Sequence, residues 1–228
     1  MNSNFTNIII IAVAIVILAI IVAIVFYKKR NKNTHVNNVD ESKSRQMIGD
    51  EGEQEVAKIL EDAKVSNHYR VINNVLLFGG TNKSTQIDHI VIGRPGIYII
   101  ETKNYSGDIY VEDGDDWYQK SDIEKACISF NSPENQNLCH MYRLAEAIGL
   151  TTNKYTTLIT AFPNDTKIHN NTKMKVLHFD EILHELFSHV AHNIPDATVD
   201  EIYDLINKAN TMNNENLRKH IARISRTY

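Results

Sequence analysis

Positive charge is scarce in this chain: 24 Lys and Arg stand against 28 Asp and Glu, a formal net charge of −4. No overall basic field therefore draws a polyanion to it, and any attraction for phosphate must be local. Cysteine is scarcer still. Cys127 and Cys139 form neither a CxxC knuckle nor a disulfide framework, which leaves reduced, semi-buried thiols in a reducing compartment. His184, His189 and His192 are spaced five and three apart, do not share one helical face and have no acidic partner in a zinc pattern. The acidic run Glu112, Asp113, Asp115 and Asp116 matches no calcium loop and reads as a solvated turn. No cleavable leader is expected either, because no basic segment precedes the first apolar run and no small-x-small exit follows it.

That run is itself informative. From Ile8 to Phe26, 19 residues are all Ile, Val, Ala, Leu or Phe, close to the roughly 20 needed to cross a bilayer as a helix. It contains no Gly-x-x-x-Gly, so it offers no small-residue face for pairing. Tyr27 and the cluster Lys28, Lys29, Arg30 and Lys32 follow. The positive-inside rule holds such a cluster in the cytoplasm, with the short N-terminus outside. The expectation is a single-pass anchor over residues 1–30 in the cell membrane, a flexible polar linker over 31–45, and one cytoplasmic domain over 46–228.

Within that domain, Gln86–Asn104 (QIDHIVIGRPGIYIIETKN) reads as two apolar strands around a Gly93-Arg94-Pro95-Gly96 turn. Alternation puts Asp88, Ile90 and Ile92 on one face of the first strand and Ile97, Ile99, Glu101 and Lys103 on one face of the second. If the turn closes there, Ile92 opposes Ile97, Ile90 opposes Ile99 and Asp88 opposes Glu101. Facing like charges destabilise a sheet. A divalent cation would offset that repulsion, since Mg²⁺ and Mn²⁺ prefer carboxylate oxygens. Lys103, on the same face, could orient a water or stabilise charge building on a phosphate. The plainer alternative is a Glu–Lys ion pair at a frayed strand end with Asp88 solvated.

These residues resemble a known pattern. An acid on one apolar strand and Glu-x-Lys closing the next is the arrangement of the PD-(D/E)xK nucleases. The wording QIDHIVI and GIYIIETKNYSG with a downstream tryptophan is similar to the nuclease-related domain (NERD) family, over roughly Gly49 to Leu144. The resemblance implies a restriction-endonuclease-like α/β fold, a mixed central sheet flanked by helices, and a Mg²⁺- or Mn²⁺-dependent phosphodiesterase, with DNA the favoured substrate. Asp88 and Glu101 would hold the metal, with the Thr102 carbonyl as a third protein ligand. Lys103 would position or help deprotonate the attacking water, and Tyr105 could contact substrate, with a core or rim aromatic as its default reading.

A helix begins near Met47 and runs to Ala63, with Ile48, Gly52, Val56, Ile59, Leu60 and Ala63 as its buried stripe. Periodicity leaves Glu51, Glu53 and Glu55 as rivals to point at the sheet; the family's Gly-Glu falls at Gly52-Glu53 and implies Glu53. Ser132-Pro133 opens a second helix, with Leu138, Met141, Tyr142, Ala145 and Ile148 as its buried face. Gln136, His140 and Arg143 form a polar stripe beside it. PENQNLCH resembles the family's Asn-Pro-x-x-Gln, which implies Gln136 at the substrate. Ser132 stands where that motif has Asn, and Asn131 is displaced by one. His140 fits a helper at the site, although a partly exposed surface histidine is the better reading. Strands are expected at Tyr69–Phe78, Gly107–Glu112 and Tyr155–Phe162, with Trp117 on a short edge strand and a further strand over Lys175–Phe179. Helices from Asp180 and around Val199, Ile202, Leu205 and Ile206 end the domain, and Arg218, Lys219, Arg223 and Arg226 decorate a terminal helix. A non-catalytic nucleic-acid- or protein-binding module tethered at the membrane is the competing reading.

Overall fold

The apolar runs of the hairpin place it in the middle of a sheet covered on both sides, because strands buried on both faces read as near-continuous hydrophobic segments. The computed structural model describes residues 47–65, 69–78, 84–120, 127–149, 153–188 and 193–224. The anchor and linker read over residues 1–45 lie outside the described residues, as do His189, His192 and Arg226. Among those described, no helix is long and apolar enough to cross a bilayer.

Helix α1 covers residues 47–65. Three long strands follow, β1 (Tyr69–Phe78), β2 (Ser84–Gly93) and β3 (Gly96–Thr102). They form an antiparallel meander that β7 (Thr156–Phe162) and the short β9 (Val176–His178) extend in parallel, in the order β1-β2-β3-β7-β9. One face of this sheet, with Ile90, Ile92, Ile97 and Ile99, packs against α2 (Pro133–Ile148) and α4 (Asp196–Ala209). The other, with Val91, Tyr98 and Ile100, packs against α1 through Val56, Leu60 and Ala63 and against α3 (Ile182–Ser188) through Ile182 and Leu186. The result is a helix–sheet–helix sandwich.

One mixed sheet was the expectation; there are two. The strands β4 (Asp108–Val111), β5 (Asp116–Lys120), β6 (Cys127–Asn131) and β8 (Lys167–Asn170) pair separately in the order β6-β5-β4-β8. A third apolar cluster of Ile109, Val111, Trp117 and Phe162 joins this sheet to the end of β7. Trp117 is thus on an interior strand and fully buried, not on an edge. The strands β6 and β8 carry too little apolar alternation to be read locally; their residues are largely exposed or half-buried.

Helix α2 follows its caps. The Ser132 hydroxyl accepts from the Asn135 amide, Pro133 occupies the first turn, and Gly149 ends the helix in the left-handed region with φ 68°. Its buried stripe is rotated by about one residue from the one expected: Asn137, His140, Met141, Leu144 and Ile148 face inward, while Tyr142 is 64% exposed. Ile48 is also exposed, so the inner face of α1 starts at Gly52. The α5 helix (Asn214–Ile224) ends the described chain. Both cysteines are exposed free thiols, not semi-buried ones.

Candidate active site

The turn Arg94-Pro95 closes the hairpin as the apolar pairs require, with Gly93 opposite Gly96, Ile92 opposite Ile97 and Ile90 opposite Ile99. Continuing this register brings Asp88 level with Glu101, where the ladder gives way to side-chain bonding: the Thr102 amide donates to Asp88 Oδ2 at 2.9 Å. On the other side of β2 the ladder is interrupted at the same point. Asn73 pairs with His89 and Val75 with Ile87, but Asn74, level with Asp88, sits in the left-handed region with φ 55°. Ile87 and Ile90, three residues apart, consequently both pack into the same cluster, which strict alternation forbids. A local kink therefore sits at the acid, where backbone departures of this kind concentrate in functional sites.

Glu101, 2% exposed, is held from two sides. Lys103 Nζ donates to its Oε1 at 2.6 Å, and His140 Nε2 lies 3.2 Å from its Oε2. Lys103 Nζ also donates to Gln136 Oε1 at 3.1 Å, so the first turn of α2 reaches the end of β3. The wall behind Glu101 is polar: Asn137 donates to the Ile159 carbonyl at 2.9 Å, and Thr160 lies level with Glu101 on β7. Tyr105 is pinned edge-on against Phe130, with ring centroids 5.0 Å apart.

From α1, Glu53 joins the cluster. It is half-buried, whereas Glu51 and Glu55 are exposed, which decides among the three rivals. Gly52 makes this approach possible: a Cβ there would stand 2.8 Å from Asn104 Cβ, closer than carbon atoms pack, so any side chain would push α1 off the strand end.

Three carboxylates around one ammonium show in the electrostatics. Burial, then the nearby Asp50 and Glu101, pushes Glu53 up to about 7 against the pull of Lys103. Burial, then Glu101 and Glu53, holds Asp88 well above the usual carboxylate range, despite the Thr102 amide and Lys103. Burial also opposes charge on Glu101, yet Lys103 and His140 hold it below its ordinary value. Lys103 is likewise penalised by burial, but Glu101, then Asp88 and Tyr105, keep it firmly protonated. His89, behind Asp88 and 1% exposed, is pushed down to about 4 by burial, against the pull of Glu101; its Nδ1 meets Asn73 Oδ1 at 2.9 Å.

This excess of acid has a measurable consequence. Because the folded pKa of Glu53 lies above its unfolded value, it binds a proton more tightly when folded; its stabilising effect is complete below about pH 4.5 and is lost as pH rises through about 7. Allowing for partial exposure, the loss is about 2 kcal/mol. In chelator, Glu53→Gln is expected to flatten the decline in melting temperature between pH 5 and pH 8. Parallel wild-type and variant profiles would contradict the geometry.

The donor set is oxygen-rich, and the surplus negative charge suits a hard divalent cation. Among the described residues no group of three or more His, Cys, Asp and Glu is already arranged as a metal cage, so a cation would take two of the carboxylates together with water or substrate, the usual habit of Mg²⁺.

The sequence residues named as site candidates, Glu53, Asp88, Glu101, Thr102, Lys103, Tyr105 and Gln136, thus lie around the C-terminal end of β3. Sequence reading missed the inward turn of His140, its partner Thr85 on β2 and the buried His89. For His140 a signal existed, since it shares the i, i+4 stripe with Leu144 and Ile148 as well as with Gln136; for Thr85 there was none. No solved structure matches the chain. An uncharacterized protein of Bacillus anthracis is 30% identical over 181 residues, covering 76% of this chain and 82% of that protein. The model of the nuclease-related domain matches residues 48–163, which contain every one of these candidates. A match across half the chain, centred on the hairpin and its acids, places this protein in the nuclease-related domain family.

Proposed function

We propose that this protein is a metal-dependent nuclease that hydrolyses phosphodiester bonds of DNA, with a restriction-endonuclease-like core of the PD-(D/E)xK type tethered to the cell membrane by residues 8–26. The observation that carries the reading is the convergence of Glu53, Asp88 and Glu101 on one ammonium, with two of the three acids left short of counter-charge. Asp88 and Glu101 would hold Mg²⁺ or Mn²⁺. The Thr102 carbonyl suits a third ligand, since a strand residue presents its N–H and C=O to the same side and the Thr102 amide already points at Asp88. When bound, such an ion lowers the pKa of its water and stabilises charge on the phosphate.

The remaining steps belong to the side chains. Lys103 orients the attacking water and neutralises developing charge; Gln136 keeps the ammonium turned toward the open side. Glu53, poised near neutrality, takes or relays the water's proton. Tyr105 borders the site, where its ring can meet a sugar or base. The apolar run and the basic cluster at Lys28–Lys32 support a position for the domain on the cytoplasmic face.

A second reading, a non-catalytic binding module, draws on the fact that Glu101 is already paired with Lys103 and bonded to His140. One assay separates them. Circular and linear DNA are incubated with the purified full-length protein in chelator, in Mg²⁺ and in Mn²⁺. Cleavage that requires the metal is the expected result; binding without cleavage under all three conditions would establish the module instead.

A further inference from the structure

A carboxylate's terminal torsion is soft and nearly two-fold, so a carboxylate held by a single long lysine can swing. Glu101 has a second anchor. His140, 2% exposed, contacts Glu101 Oε2 through Nε2 at 3.2 Å and Thr85 Oγ1 through Nδ1 at 2.8 Å. An ionised carboxylate can only accept, so the hydrogen in the first contact is on Nε2. In the neutral ring Nδ1 is then an acceptor, and the Thr85 hydroxyl donates to it, fixing tautomer and ring plane together. The ring, carried by α2, is clamped between Thr85 on β2 and Glu101 on β3, and the apolar cluster of Ile87, Met141 and Leu144 already holds α2 against β2.

We propose that His140, set by Thr85, is a positioning residue that locks Glu101 by Oε2 and so leaves Oε1, the oxygen shared with Lys103, turned toward the reaction centre. The inference rests on the nuclease reading for its catalytic consequence but not for its geometry. Partners of this kind, one bond removed from a metal ligand, are worth about 10- to 100-fold in affinity or rate.

The test uses the full-length protein and four variants, His140→Leu, His140→Gln, Thr85→Val and Thr85→Ser, each checked for folding by circular dichroism. Mn²⁺ affinity is measured by calorimetry, DNA cleavage by steady-state kinetics, and the imidazole protons by ¹⁵N NMR. His140→Leu is expected to lower kcat and weaken Mn²⁺ about 10- to 100-fold with KM for DNA within about twofold, the mark of a group acting on chemistry rather than on uniform binding. His140→Gln, whose amide reaches as far as Nε2, should recover most of the loss. Thr85→Val should reproduce part of it and Thr85→Ser none, and the wild-type ring should carry its hydrogen on Nε2. If His140→Leu fails to fold, Thr85→Val, which preserves volume, carries the same comparison. A hydrogen on Nδ1 with Nε2 bare, or a leucine variant with wild-type kcat and Mn²⁺ affinity, overturns the clamp; so does a glutamine variant no better than leucine. A wild-type protein that neither cuts nor binds Mn²⁺ would remove the nuclease reading instead, and the NMR spectrum would still decide the clamp.

Discussion

Asp88→Asn is expected to lower cleavage by at least about 10²–10³-fold and, in chelator near neutral pH, to make the folded protein more stable. The two effects have one cause. Asp88 is 7% exposed, and its carboxylate is disfavoured by burial and by the charges of Glu101 and Glu53. Asparagine keeps the shape and the oxygen that accepts from the Thr102 amide, but it carries no charge to bury or to repel. Its folded pKa being raised, Asp88 binds a proton more tightly in the folded state, so its stabilising effect is full at low pH and is lost as pH rises. The variant's advantage should therefore grow with pH, giving a larger gain in melting temperature at pH 8 than at pH 5. Saturating Mg²⁺ should reverse the order, because ligand binding stabilises only the protein that can bind it. Thermal melts at pH 5 and pH 8, in chelator and in Mg²⁺, together with the cleavage assay, check all of this. An asparagine variant that cuts at the wild-type rate, or melts lower than wild type in chelator, would remove Asp88 from the site.

Lys103→Met should have the opposite signature in stability and the same in activity. Its ammonium donates to Glu101 Oε1 at 2.6 Å and lies near Asp88 and Glu53, so its loss leaves three acids without their shared cation. Removing one partner of a buried pair costs about 3–5 kcal/mol; with the lysine side chain 18% exposed, about 2–3 kcal/mol is the expectation at pH 8. Cleavage should fall by about 10²–10³-fold even in saturating metal, because no other group takes over the water's orientation. Lys103→Arg separates the two roles: it restores charge, and so most of the stability, but its planar fork cannot replace a compact ammonium between Glu101 and Gln136. A methionine variant as stable as wild type would mean that the acids are not crowded; one that still cleaves would leave Lys103 a purely structural ion pair.

Asp88→Asn and Lys103→Met are informative because they part company in one measurement while agreeing in another. A surface cluster of charges would show neither effect, since exposed ion pairs contribute little.

Much of the architecture was legible in the chain itself. The apolar pairs Ile92–Ile97 and Ile90–Ile99 set the hairpin register because a one-residue slip would turn a strand's oily side chains to the wrong face. Apolar patterning likewise placed β1 and β7 to within a residue, the caps placed the start of α2, and the stripe of Val199, Ile202 and Ile206 falls in α4. Periodicity went astray where polar side chains occupy inward positions. Asn137 and His140 continue the buried stripe of Met141, Leu144 and Ile148, but an apolar period passes over polar residues, which rotated the expected stripe onto Tyr142. The second sheet escaped for a related reason: β6 and β8 are stabilised by ladder bonds to neighbours rather than by buried apolar area of their own.

By itself, then, the sequence determined which segments are apolar, how the hairpin pairs, and that two acids and a lysine lie at its open end, because these depend on spacing among near neighbours along the chain. Tertiary structure alone decided that Asn74 kinks β1 level with Asp88 and that His140, held by Thr85, grips Glu101; it also brings in Glu53, which periodicity left level with Glu51 and Glu55 and only the family resemblance singled out. Those depend on partners brought together from distant parts of the chain, as Thr85 and Glu101 are brought to His140. A buried polar group must find a partner somewhere, but nothing in its own neighbourhood says where.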